Sequence, residues 1–276
     1  MHITDELRDT VAALLRKGSN KFILPRFQTL TDNQIETKTS DTDFVTIADR
    51  EMEYFLSDAL PKLVADSWVL GEEAVSLHPE LRDDVAKGMV WCVDPVDGTR
   101  NFVQKNSAFC AMISLVQNNM PVASWIYTPL DDTCYFAATG KGCWQHKSEI
   151  WQILALHNCD RKHPELIGTA TIRGLDGDKR EAVRQNLKAF TGRQFIGCAG
   201  VETILLITGM HDFLFHTRIT PWDHAPVALF AQEAGLYVGS TPSGHKFQVD
   251  QVEPLLAAPN KNLWQQLQEA IWHNAT

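Results

Sequence analysis

The sequence predicts a mixed protein, an α+β half built on an antiparallel sheet followed by an α/β half. Three observations carry that reading. Apolar or aromatic runs at residues 108–116, 122–127 and 133–138 are broken by turn residues at 118–119, 129–132 and 140–142, the pattern of a β-meander. Two helix-like segments precede it and need a sheet to cover them. Beyond residue 150 strand-like and helix-like segments alternate, so the chain divides into a first domain at 1–150 and a second at 151–276.

Residues 4–24 read as a helix. Thr4 can cap it, Asp5 and Glu6 suit its positive end, and Ile3, Leu7, Val11, Leu14 and Leu15 form one apolar stripe. Pro25 kinks or ends it. The polar, Thr-rich stretch 29–43 reads as a mobile loop. Thr46, followed three residues later by Asp49, makes a capping box with Asp in place of Glu, and a second helix runs to about Leu60 and stops near Pro61. Asp49 and Glu53 share a face of it; for Glu53 a solvated acidic face and a functional one stand equal. Residues 68–70 read as a short strand ending at Gly71-Glu72-Glu73. Neighbours on a strand point to opposite faces, so one glutamate can face a site while the other turns away.

The stretch 91–102, WCVDPVDGTRNF, organises the chain. A buried strand at 89–93 delivers Asp94 and Asp97, held apart by Pro95 and Val96. Pro95 fixes its own backbone and Gly98 permits a dihedral other residues avoid, so the strand ends in a shaped turn. Two acids side by side there are costly without a cation, and hard divalent ions such as Mg²⁺ use such oxygen ligands together with a substrate phosphate. The backbone N–H groups of Gly98 and Thr99 are placed to receive an anion.

In the second half, strands are expected at 166–172, 194–196, 212–216, 236–239 and 255–258. Helices are expected at 180–190, 201–210, 224–234 and from Asn260 onward. Gly197-Cys198-Ala199-Gly200 joins a strand to a helix through small residues, which suits either close packing or ligand contact with bare amides. Asp223 is well placed as a helix N-cap. His211, His216 and His224 cluster in sequence, but their spacing fits no usual zinc pattern and no cysteine supports them.

A formal charge of −9 with 25 basic and 34 acidic residues excludes the basic footprint of a nucleic-acid binder. It leaves an anionic substrate open, because bound cations invert the field locally. The N-terminal residues lack the apolar core of a signal peptide, no apolar run is long enough to span a membrane, and the six cysteines show no C-x-x-C pairing. A reduced, cytoplasmic protein is the expectation.

The central string resembles the signature of the inositol monophosphatase family, D-P-I/V/L-D-G-T-x-N-F. The family's W-D-x-A element is matched by Trp222, Asp223, His224 and Ala225, its G-E-E by Gly71, Glu72 and Glu73, and its D-x-V-T-x-x-D by residues 43–49. The resemblance covers nearly the whole chain. It implies a layered αβαβα sandwich of the inositol monophosphatase and fructose-1,6-bisphosphatase type. The implied activity is Mg²⁺-dependent, lithium-sensitive hydrolysis of a small phosphate monoester by a homodimer.

The implied roles are these. Glu72, Asp94 and the Val96 carbonyl hold one ion, and Asp94, Asp97 and Asp223 a second. A weaker third ion lies near Asp49 and Glu72, giving two to three in all. Thr99, hydrogen-bonded toward Asp49, pairs with Glu72 to orient the attacking water. Asp97, Gly98, Thr99, Gly197, Ala199, His216 and Asp223 contact substrate, while Arg100, a position that the family varies, either lies on the surface or, facing the cleft, suits an additional anionic group on the substrate. Inositol-specific relatives usually carry glutamate where this chain has His216, which puts the alcohol in question. Inositol 1-phosphate is the first substrate and histidinol phosphate the alternative, ahead of a sugar bisphosphate or adenosine 3′,5′-bisphosphate. The reading from a different class is a catalytically inactive binding or regulatory homologue, which should show a broken ligand set.

Overall fold

The computed structural model describes residues 2–38, 44–154, 165–190 and 192–275. Helix α1 (Asp5–Gly18) starts as its sequence dictates: the Thr4 hydroxyl accepts the Leu7 amide, and acids occupy the first turn and bases the last. It is shorter than the predicted 4–24. The chain continues as a π turn at Ser19–Ile23 and a tight turn at Leu24–Arg26, where Pro25 needs no amide partner. Part of the stretch read as a loop is ordered, since β1 (Ile35–Thr37) pairs antiparallel with β2 (Phe44–Thr46). Residues 39–43 lie outside the described residues. Helix α2 (Ile47–Ala59) opens with the capping box expected at Thr46 and Asp49.

Strand β3 (Ser67–Gly71), helix α3 (Glu72–Leu77), strand β4 (Met89–Asp97) and the short helix α4 (Thr99–Val103) follow. The meander then has five strands: β5 (Cys110–Gln117), β6 (Met120–Thr128), β7 (Thr133–Ala138), β8 (Gly142–Lys147) and β9 (Ile150–Ile153). The last two escape the sequence reading because they are largely polar or half exposed and lie toward the edge of the sheet. The seven strands β3 to β9 lie in sequence order, β3 and β4 parallel and the rest antiparallel.

The second half alternates as expected: β10 (Ile167–Ala170), α5 (Gly177–Asn186), β11 (Gly192–Gln194), α6 (Ala199–Ile207), β12 (Phe213–His216), α7 (Pro221–Glu233), β13 (Tyr237–Ser240), β14 (Leu255–Ala258) and α8 (Lys261–Ile271). Strand β11 ends two residues before the predicted strand, because Ile196 and Gly197 belong to the turn into α6. The sheet order is β11-β10-β12-β14-β13. The first three run parallel and β14 opposes both its neighbours.

Strand alternation sorts side chains into layers. Trp91 and Val93 of β4, with Ile113 and Leu115 of β5, face Val11 and Leu15 of α1 and Met52 and Leu56 of α2. On the other face Val90, Cys92 and Met112 meet Leu206 of α6 and Ala225 and Leu229 of α7; these helices also cover Leu214, Leu255 and Ala257 of the second sheet. Phe213, Phe215, Leu256 and Ala258 point outward onto Val183 of α5 and Trp264, Leu267 and Ile271 of α8. The result is the layered αβαβα sandwich. Each fully buried large apolar side chain contributes about 1.5–3 kcal/mol. Gly200 lets α6 approach β5: a Cβ there would lie 2.3 Å from Cys110 Sγ and 2.8 Å from Met112 Sδ.

Candidate active site

Open parallel sheets bind ligands beyond the carboxyl ends of their strands. Here the carboxyl ends of β3 and β4 in one sheet and of β10, β11 and β12 in the other surround a single cavity, into which α7 delivers Asp223. Glu72, Asp94, Val96, Asp97, Gly98, Thr99, Arg100, Gly197, Ala199, His216 and Asp223, all singled out in the sequence, line it. Asp49 lies behind this lining, beneath Thr99.

The turn owes its shape to its residues. Pairing of β4 with β5 slips between Asp94 and Asp97, around Pro95 and Val96. The Val96 amide donates to Asp94 Oδ1 at 3.0 Å. Gly98 takes φ +86°, and a Cβ there would sit 2.9 Å from the Ala108 carbonyl oxygen. The Asn101 amide nitrogen donates to the carbonyls of Ala108 (2.7 Å) and Ile196 (2.9 Å), tying the turn to the loop after β11.

Glu72, Asp94 and Asp223 each bring a carboxylate oxygen within 4.8 Å of the other two. Burial, then Glu72, Asp97 and Asp223, hold the Asp94 carboxyl well above its ordinary range. Burial and Asp223 push Asp97 up to about 7, although Cys198 and the Gly200 amide favour its charge. Those donors stand 3.0 Å and 2.7 Å from Asp97 Oδ2, with Cys110 Sγ at 3.6 Å. Hard oxygen donors carrying more negative charge than their surroundings offset are what a divalent cation of the Mg²⁺ type requires, so the residues fit the ion.

Glu72 and Glu73 do not sit on a strand. They form the first turn of α3, because Gly71 ends β3 and the Glu53 carboxylate accepts the amides of Glu73 and Ala74, both at 2.8 Å. Glu53 is therefore no solvated face; it is 6% exposed and fixes the helix that presents Glu72. Burial and Glu72 raise Glu53 to about 7 and Glu73 to about 8. The Lys38 ammonium bridges Glu72 (2.9 Å) and Glu73 (2.7 Å), and although burial works against its charge, the two carboxylates outweigh it and raise its pKa.

Thr99 is held from below. Its hydroxyl lies 3.0 Å from Asp49 Oδ1 and 2.9 Å from the Val96 carbonyl. Asp49, 1% exposed, accepts the Thr46 amide (2.9 Å) and hydroxyl (2.5 Å) on its other oxygen. Burial, opposed by those bonds, raises it to about 6.

A buried polar chain on the far wall was not legible in the sequence. The Thr220 amide and carbonyl oxygen each stand 3.1 Å from His224 Nδ1, and the amide as donor makes that nitrogen the acceptor. His224 Nε2 accordingly carries the proton and faces His216 Nδ1 at 3.0 Å, and His216 Nε2–H meets Glu202 Oε2 at 2.8 Å. Burial, reinforced by His216, depresses the His224 pKa and keeps that ring neutral. Glu202 Oε1 accepts the Gly197 amide at 3.0 Å. Both nitrogens of His216 are thus engaged by protein, and Glu202 fixes the loop facing the turn. The one signal for it was a single charge in the otherwise apolar helix AGVETILLI. His211 stands apart, bonded to Thr169 and Gln194, so the three histidines do not converge.

A layered αβαβα sandwich that gathers carboxylates at the carboxyl ends of its strands defines a metal-dependent phosphatase. The model of the inositol monophosphatase family matches residues 4–275, and the chain belongs to that family of phosphomonoester hydrolases. It is 25% identical over 235 residues to the inositol-1-monophosphatase of Bacillus subtilis, covering 83% of each chain. It is 27% identical over 198 residues, 71% of each chain, to the 3′(2′),5′-bisphosphate nucleotidase CysQ of Aggregatibacter actinomycetemcomitans. Its fold superposes on a staphylococcal inositol monophosphatase crystallised with products with a TM-score of 0.79, at 19% identity over 99% of this chain and 98% of that one. Among the described residues no helix is long and apolar enough to cross a membrane.

Proposed function

We propose that the chain uses Mg²⁺ to hydrolyse a small phosphorylated alcohol, with inositol 1-phosphate the reference substrate. The observation that carries the reading is the meeting of Glu72, Asp94 and Asp223 beside the Thr99–Asp49 pair. Glu72, Asp94, the Val96 carbonyl, Asp97 and Asp223 would hold the ions. Divalent ions bound there supply Lewis acidity and a more acidic water.

The protein's own groups do the rest. With the Thr99 proton committed to Asp49 or Val96, its oxygen accepts a proton of the attacking water, and Glu72 accepts the proton released. The Gly98 and Thr99 amides, opening α4, hold the phosphate oxygens, and Asp223 stands by the leaving oxygen. Attack is in line, with no phosphoenzyme, because charge spread over the equatorial oxygens is met electrostatically. Lithium sensitivity, a homodimer and a cytoplasmic location are proposed along with the family reading. Exposed arginines on the cavity's open side, Arg100, Arg173 and Arg218, count against histidinol phosphate, whose amine is cationic.

The test is Mg²⁺-dependent phosphate release by wild type and Asp94→Asn, with Mg²⁺ binding followed by calorimetry. The variant is expected to stay folded, bind Mg²⁺ more weakly and lose turnover. Wild-type turnover in the variant would refute the ligand assignment. Mg²⁺ binding by the wild type without release from any phosphorylated alcohol would favour the inactive homologue.

A further inference from the structure

We propose that the open side of this cavity is a second anion subsite, so that the preferred substrate is a small phosphate monoester carrying another anionic group. The inference rests on the phosphatase reading and deepens it.

The chain is acidic overall, yet the exposed side chains lining this cavity are Arg100, Arg173, Phe195 and Arg218, with no acid among them. The carboxylates that line it lie deeper and are buried or half-buried. Among the described residues none of the three guanidinium groups is ion-paired to a carboxylate. The fold fastens together the two loops that carry Arg173 and Arg218. Arg173 follows β10 and Arg218 follows β12, its parallel neighbour. The Thr217 hydroxyl donates to the carbonyls of Thr171 (3.2 Å) and Arg173, fastening one loop to the other. Gly174, at φ +91°, permits the contact: a Cβ there would lie 3.1 Å from the Thr217 carbonyl oxygen and 3.4 Å from Arg218 Cα.

A further cation stands behind. Arg82 donates to the Ile219 carbonyl at 3.0 Å, and burial followed by Arg218 lowers its pKa. Like charges on neighbouring loops repel, and among the described residues no carboxylate is ion-paired to Arg173 or Arg218, so an anion seated there offsets that repulsion; Arg82 alone feels a counter-charge, that of Asp250. Guanidinium forks match phosphate or carboxylate oxygens in pairs. Phe195, from the loop after β11, lies with its ring centroid 5.7 Å from the Arg173 guanidinium carbon, a cation–π contact within the same lining. A single phosphate is already served at the acidic end. A neutral polyol has no use for three cations at the other.

The experiment compares kcat/KM for pairs that share the scissile phosphate and differ in the second anion. The pairs are fructose 1,6-bisphosphate against fructose 1-phosphate, adenosine 3′,5′-bisphosphate against adenosine 3′-phosphate, and 6-phosphogluconate against sorbitol 6-phosphate. The first two read a second phosphate and the third a carboxylate. At least one doubly anionic member is expected to exceed its partner by about tenfold or more, the scale of a charge-assisted contact. Arg173→Ala and Arg218→Ala are expected to collapse that ratio toward one, mainly through KM. Ratios near one in the wild type overturn the proposal, and so do variants that lower both members of a pair equally, which is the mark of general steering. In both cases phosphate is still released and the phosphatase reading stands. Silence on all six compounds while inositol 1-phosphate is still hydrolysed overturns this inference alone, and silence on inositol 1-phosphate as well removes the phosphatase reading and this inference with it.

Discussion

Replacing Asp49 by Asn separates the two things that this carboxylate does. The side chain keeps its size, and its oxygen can still accept the Thr46 amide at the capping box. Its NH₂ then faces Thr99, 3.0 Å away, and donates to the hydroxyl that formerly donated to it. The Thr99 hydroxyl turns its proton to Val96, and the amide takes one of its two lone pairs, leaving a single, differently directed one to accept from water. A lost water-orienting base contact of this kind lowers kcat by about a hundredfold or more. Stability moves the other way. Asp49 is raised from 3.8 to about 6, chiefly by burial. A carboxyl with a raised folded pKa contributes stability fully present below pH 3.8 and lost as pH rises through 6. At about 1.4 kcal/mol per unit the wild type without metal loses about 3 kcal/mol over that window, and the Asn variant does not. Urea denaturation in EDTA between pH 4 and 7.5, beside phosphate release with Mg²⁺, reads both effects. Activity within twofold of wild type would refute the Thr99 argument. Parallel stability curves would refute the burial argument.

Glu53→Ala should leave two amides of α3 without their acceptor, costing about 2 kcal/mol or more and reducing turnover by displacing Glu72; denaturation midpoints within 0.5 kcal/mol, taken as about the size of a neutral surface change, would contradict this. Gly200→Ala forces a methyl against Cys110 Sγ and should destabilise by about 1–3 kcal/mol, with rescue by a second change, Cys110→Ala. A single variant as stable as wild type would show that α6 can shift freely. Without metal, Asp97 and Glu73 are raised to about 7 and 8, so stability is expected to fall as pH rises through those values. Mg²⁺ should then raise Tm far more at pH 8 than at pH 5, because its ligands must be ionised; equal shifts at the two pH values would count against the acid cluster as its site.

Legibility followed how local the cause was. The Thr4 cap, the Thr46–Asp49 box and the Gly98 turn act within four residues, and the sequence shows them. Alternating apolar runs disclosed the core strands β4 to β7. Glu53 stays open in the sequence because its partners, the amides of Glu73 and Ala74, come from another element, and an acid on a helix looks the same whether water or a helix end receives it. Glu72 and Glu73 were placed on a strand for the same reason: what starts α3 is a carboxylate twenty residues upstream. β1 and β9 are short and largely exposed and exist through pairing, which periodicity does not register. The Glu202–His216–His224 chain joins two helices and a strand, and only the assembled fold brings it together.

The acids around this cavity belong to different parts of the chain: Glu72, Asp94 and Asp97 stand with the seven-stranded sheet, while Asp223 opens a helix sandwiched between both sheets. A folding chain that has formed only its first sheet would own three of the four carboxylates and lack the one that closes the set. On the proposed ligand set, cation affinity would report the docking of the two sheets, and a bound ion would act as a rivet across the seam. Hydrogen exchange in α7 should slow when Mg²⁺ is added, even though most of the helix lies away from the ion.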